Sequence, residues 1–186
     1  MTQRVDVIMN DLEFDVVARN TILLLLALTI QDSTTVEAST TPFSTAEALI
    51  HVWYSASISS YVLSLLQDRV KPLITEVCNK IANKTPSTAL GKTWRFSDGR
   101  PLRLVLKQKD WLRLADFLDL PEGVGLEDAA AIRRAVTLAP ERSDYRDRWF
   151  FKDSSPFMRI AKQKFREDGV LMPFGHPQTA FDKPNP

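Results

Sequence analysis

The chain holds a single cysteine, Cys78, and two histidines, His51 and His176. One thiol excludes an intrachain disulfide, and three such side chains far apart exclude a Cys/His zinc site of the usual spacing. A reducing intracellular setting, cytoplasmic or nuclear, is therefore expected. Glycine is scarce too, six in 186 residues, and no glycine-rich loop offers its backbone to a phosphate or dinucleotide. Long apolar runs are also missing. The best one, Thr21–Ile30, is about half of the roughly 20 residues a membrane span requires. Four acids (Asp6, Asp11, Glu13 and Asp15) precede it, where a signal peptide would be positive. A net charge of +1 excludes a general nucleic-acid or membrane coat. That charge is unevenly spread. Residues 1–60 set Arg4 and Arg19 against seven acids, a balance of −5, so the remainder carries +6. The arrangement suits an acidic front packed on a basic back, and less directly an anionic partner for the second half.

What is present suits a soluble globular domain. Hydrophobic residues at 44% and charged ones at 25% are enough to build a core and leave no room for wholesale disorder. Val5–Met9 reads as a short strand, and Glu13 to about Ile30 as a helix apolar on nearly every face. Gln31–Pro42 reads as a Ser/Thr-rich loop. Ser44-Thr-Ala-Glu47 forms a capping box opening a helix to about Ser57. A second helical stretch runs from Ser60 to Ala82, with Leu63, Leu66, Val70, Ile74, Val77 and Ile81 on one stripe and Pro72 kinking or breaking it. Asp98-Gly99, between Thr93–Phe96 and the alternating Leu102, Leu104 and Leu106, marks a β-hairpin. Helices follow over Trp111–Leu118 and Glu127–Ala139, and one from Pro156, capped by Ser155, to a stop at Gly169. Residues 1–172 form one globular domain, and 173–186, with four prolines, an extended tail. The expected architecture is mixed α/β and helix-rich, its small sheet built from the first strand and the hairpin near 93–106.

The segment from Asn10 to Asn20, Asn-Asp-Leu-Glu-Phe-Asp-Val-Val-Ala-Arg-Asn, resembles the second strand and next helix of class I methyltransferases. That likeness implies an incomplete Rossmann-like core in which Asn10 and Asp11 face the ribose of S-adenosylmethionine. Five blocks, "NDLEFDVVARNTILLLL", "ALIHVWYSA", "RRAVTLAPERSDYRDRWFF", "SPFMRIAKQKFREDGVLMPFG" and "FDKPNP", resemble in the same order the family called domain of unknown function 4470. The resemblance implies a fungal-type protein, often in company with a MYND-type zinc finger and related to the amino-terminal domain of a dynein axonemal assembly factor. It also implies a glycine turn upstream of Val5 and further chain beyond Pro186, so that this sequence looks like a truncated member of a larger domain. The family carries no established reaction.

Each candidate site has a plainer competitor. Asn10 and Asp11 would hold a cofactor's hydroxyls, or Asp11 would simply cap the helix that begins near Glu13; without a glycine-rich loop the cap is preferred. Arg142, Tyr145, Arg146, Arg148 and Trp149 would grip an acidic partner or phosphate, or form a salt-bridged helix face in which Asp144 meets Arg148. His51, among apolar neighbours, reads as a packed histidine rather than a catalytic one, and Cys78 as core or helix surface. Trp53, Trp94, Trp111 and Trp149 are core anchors, or some of them form an exposed partner surface. Phe174-Gly175 and Phe181 would strap the tail onto the body, or leave it free. No complete catalytic constellation and no metal site emerges. The preferred reading is a non-catalytic protein-interaction or scaffold module without a cofactor; the alternative is a degenerate S-adenosylmethionine-binding domain. A membrane role is not expected, and nucleic acid is a poor match for the charge.

Overall fold

Leucine and alanine favour helix, and the most apolar stretch of the chain forms a long one. In the computed structural model, which describes residues 6–32, 45–97, 99–120, 122–143, 148, 154–172 and 177–186, helix α1 spans Phe14–Asp32. Ala18, Ile22, Leu25 and Leu26 are buried along one side, and Leu23 is buried as well. The hydroxyls of Thr21 and Thr29 donate back to the carbonyls of Val17 and Leu25 at 2.8 and 2.7 Å, so their polar atoms enter the interior already satisfied. The main neighbours of α1 are helix α2 (Thr45–Tyr54) and the π-helical turn Leu66–Val70, rather than a sheet.

The expected first strand is not formed. Residues 6–11 make no strand pairing, and Val7, Ile8 and Met9 are exposed. Asp6 and Asn10 flank a run of only three apolar residues, too short to hold a strand without a neighbour sharing its backbone hydrogen bonds. Among the described residues both sheets are two-stranded and antiparallel, so the parallel core implied by the methyltransferase likeness has no counterpart there.

The stripe from Leu63 to Ile81 faces inward, with Leu66, Val70, Ile74, Val77 and Ile81 buried and Leu63 half-buried. Pro72 does not break the path. Helix α3 (Ser60–Leu65) passes through the π turn into α4 (Lys71–Ile81), with Pro72 in the first turn of α4. Proline lacks an N–H and crowds the carbonyl four residues earlier; one wide turn ahead of it removes both conflicts.

Strands β2 (Ala89–Arg95) and β3 (Pro101–Lys107) form the expected hairpin, Trp94 opposite Leu102 and Leu90 opposite Leu106. Gly99 has φ +81° in its turn, a conformation glycine adopts without strain. Helix α5 (Gln108–Asp116) follows at once and buries Trp111 completely. The indole N–H of Trp111 donates to the Leu90 carbonyl at 3.2 Å, and its ring meets Trp94 edge-on at 6.0 Å. Hairpin and helix core are thereby locked together.

Helices α6 (Leu126–Thr137) and α7 (Pro156–Asp168) pack on each other outside this core. Ser155 caps α7 by accepting from the Met158 N–H, and Gly169 closes it with φ +75°. The C-terminal segment returns across the body. Strand β4 (Lys183–Pro184) pairs antiparallel with β1 (Ser57–Ile58). Phe181 is buried, and the Asp182 carboxylate accepts from the Ser60 N–H and hydroxyl at 2.9 and 2.7 Å. Of the two arrangements considered for Phe181, it adopts the strap; Phe174 and Gly175 lie outside the described residues.

Candidate functional site

A cleft of about 680 Å³ opens between α1, the end of α2, α6 and the C-terminal strap. Its α1 wall carries Asp15, Arg19 and Ile22, and Val52 and Trp53 come from α2. Opposite stand Ala129, Ile132, Arg133 and Val136 of α6, then Arg142 from the short 3-10 turn Pro140–Arg142. Pro184, Asn185 and Pro186 close one end. Helix α6 contains no buried residue. Its apolar positions 129, 132 and 136 recur at i, i+3 and i+7, the spacing of one helix face, and that face looks into the cleft rather than into a core.

The charge of this cleft is lopsided. Arg19, Arg133 and Arg142 share the lining with a single acidic side chain among the described residues, that of Asp15. Asp15 is already engaged by the Arg113 guanidinium at 2.5 Å, and that group also lies over the rings of Phe14 and Phe117. Arg133 is held in place twice, donating to the Tyr54 carbonyl and stacking on Phe165 at 4.6 Å. Burial pulls its guanidinium below the usual arginine range, and the neighbouring charge of Arg19 adds to the effect. Trp53 is 47% exposed beside these groups and stacks on Tyr54 at 5.7 Å. Trp94 and Trp111, by contrast, are core anchors.

Beneath the strap lies a buried polar pair. His51 Nδ1 and Ser55 Oγ are 2.8 Å apart, Ser55 following the last residue of α2 and standing four positions on from His51. The Leu171 N–H donates to the same hydroxyl at 3.3 Å, so the serine oxygen joins the imidazole to the backbone that follows α7. Burial lowers the His51 pKa, opposed in part by the Glu47 carboxylate. Phe181 lies edge-on to the imidazole at 4.6 Å. The Asn185 amide donates to the carbonyls of His51, Val52 and Ser55 at 3.3, 3.0 and 2.8 Å, satisfying the open end of α2. His51 is thus packed and bonded to a side chain four residues on. Cys78 is buried, burial pushes its thiol up, and it donates to the Trp111 carbonyl at 3.3 Å. Such a thiol is a poor nucleophile.

The sequence candidates are separated. Asn10 and Asp11 lie on the exposed lead-in to α1, away from the cleft lining, with the neighbouring Leu12 almost wholly exposed. Asp11 accepts from the Glu13 N–H at 2.9 Å, one step before the helix begins. Of the arginine-aromatic group, Arg142 reaches the cleft. Arg148 is exposed, and Tyr145, Arg146 and Trp149 lie outside the described residues. Sequence reading did not single out Arg19, Arg133, Ile132 or Val136. The local signal was weak: one arginine in an apolar helix, and an Ile-x-x-x-Val step that reads equally well as core.

Among the described residues, fold and cleft define a helix-rich arrangement with two small antiparallel sheets and an open, cationic, partly aromatic groove. Residues 1–58 match a family model described as domain of unknown function (DUF4470). The match covers α1, α2 and β1, and so one wall of the cleft, together with the first two of the five sequence blocks. No curated protein and no solved structure matches the chain. Among the described residues no helix is long and apolar enough to cross a membrane, and no cluster of three or more His, Cys, Asp or Glu side chains suits a metal ion.

Proposed function

We propose that this chain is a non-catalytic protein-interaction module whose docking surface is the cleft between α1 and α6. The observation that carries this reading is the apolar face of α6, which borders an open groove instead of a core, with Trp53 opposite it. Exposed aromatic and aliphatic side chains lining one concavity are the usual anchors for a partner segment, since burying them on binding regains the hydrophobic free energy that folding leaves unused. The His51–Ser55 pair does not argue for catalysis. Its hydroxyl accepts a backbone N–H and is hydrogen-bonded to a buried imidazole, an arrangement suited to joining segments. Nothing among the described residues favours the S-adenosylmethionine alternative, because no strand precedes α1 to form the cofactor corner.

Peptide display against the protein, with counter-selection on Ile132→Asp, tests the reading. Ile132 is 59% exposed, so its replacement leaves the fold intact. We expect enriched peptides that bind the native chain and lose at least about tenfold in affinity on the variant, the loss of one buried anchor. Enrichment only of peptides indifferent to Ile132→Asp and to Trp53→Ala would overturn it.

A further inference from the structure

We infer that the partner segment taken by this cleft is acidic: a stretch of peptide whose carboxylates bind Arg19, Arg133 and Arg142 while its apolar side chains rest on Ile132, Val136 and Trp53. The inference rests on the docking reading above and adds the chemistry of the occupant. Three arginines from three separate elements line one concavity, and the one acidic side chain lining it among the described residues, Asp15, is engaged by a fourth, Arg113. No carboxylate among the described residues is paired with Arg19, Arg133 or Arg142.

Holding like charges together at a partly desolvated wall is unfavourable unless something anionic compensates them. The cost is visible at Arg133, whose charged form is disfavoured by burial and by Arg19. Folding nonetheless fixes Arg133 through the Tyr54 carbonyl and the Phe165 ring, so its guanidinium is set in position before any ligand arrives. A pre-positioned planar donor suits a carboxylate, which it meets with two parallel hydrogen bonds. The apolar stripe of α6 selects against a small inorganic anion, which has nothing to lay on Ile132 and Val136. A peptide alternating acidic and apolar side chains satisfies both surfaces at once.

The full chain would be challenged with three peptide libraries of equal apolar content. Their polar positions would be all Asp/Glu, all Asn/Gln, or all Lys. Enrichment of the acidic library at least about tenfold over the neutral one is expected, the worth of one charge-assisted hydrogen bond. The double variant Arg19→Gln/Arg142→Gln should sharply reduce that preference, leaving the share carried by Arg133, while still binding the neutral library. Both positions are exposed, so the fold does not depend on them. Arg133→Lys keeps the charge but not the fork and should lower acidic binding further than it lowers neutral binding. Equal enrichment of acidic and neutral libraries would sink the acidic inference and leave the docking reading standing. Failure of all three libraries would sink both. Displacement of the acidic peptides by inorganic phosphate at equal concentration would show a small-anion site and overturn the peptide assignment.

Discussion

At the scale of single residues the chemistry of His51 makes a pH prediction. Its folded pKa lies below the ordinary 6.5, because burial penalises the imidazolium more than Glu47 stabilises it. The unfolded chain therefore binds more protons around and below that pH, and stability rises with pH across the window. The contribution is complete above 6.5 and is lost progressively as the pH falls below it. Urea titrations at pH 7.5, 6.5 and 5.5, values chosen to bracket about one unit either side of the reference pKa, should show the native chain weakening on acidification. His51→Gln should be less stable at neutral pH and should lack that part of the slope; an unchanged slope would mean that another group carries it. The packed character of His51 was legible in its apolar surroundings. Its Ser55 partner stands at i+4, just past the end of α2, a spacing open to sequence reading, yet the Leu171 N–H that also binds the hydroxyl comes from 116 residues away.

Between elements, a close joint forms where α7 ends. Gly169 combines positive φ with a close approach. A Cβ there would stand 2.7 Å from the Ala56 Cβ, while the Ala56 N–H donates to the Gly169 carbonyl at 2.7 Å. Arg134 adds hydrogen bonds to the Glu167 carbonyl at 3.2 and 3.0 Å, placing a cation at the negative end of the α7 dipole. Gly169→Ala should thus cost at least about 1–2 kcal/mol from backbone strain alone, seen as a lower denaturation midpoint. Because the joint links α7 to β1 and so to the strap, hydrogen exchange at Ala56 and Asn185 should quicken in the same variant. An effect confined to α7 would show that the joint is not shared. Here the sequence was informative: Ser155-Pro156 and Gly169 are local punctuation that needs no tertiary partner. The strand expected at Val5–Met9 failed for the opposite reason, since a strand exists only if another lies beside it. The bend expected at Pro72 became a π turn, a difference of one hydrogen-bond register that the stripe of apolar residues does not encode.

For the whole molecule, the test concerns what it binds. S-adenosylmethionine at millimolar concentration should leave the melting temperature unchanged, whereas a ligand present at a hundred times its Kd would add about 2.7 kcal/mol to stability. A clear upward shift would restore the cofactor reading and displace the docking one. The acidic front and basic back meet at Asp15 and Arg113, an ion pair at the exposed surface. Among the described residues, Arg19, Arg133 and Arg142 of the cleft have no such ion pair. By itself, the sequence determined the helices, the hairpin and its turn, the inward stripe from Leu66 to Ile81 and the lack of any disulfide. These depend on periods of two or 3.6 residues, on caps and on turn chemistry, all of which act over a few neighbouring positions. Only the tertiary structure decided that Arg19, Arg133 and Arg142 share one wall-lined space, and that Asn185 closes the end of α2 from 130 residues away. Such meetings follow from how rigid elements pack against one another, and no local pattern in the chain specifies the distance between two surfaces that touch only once the core has formed.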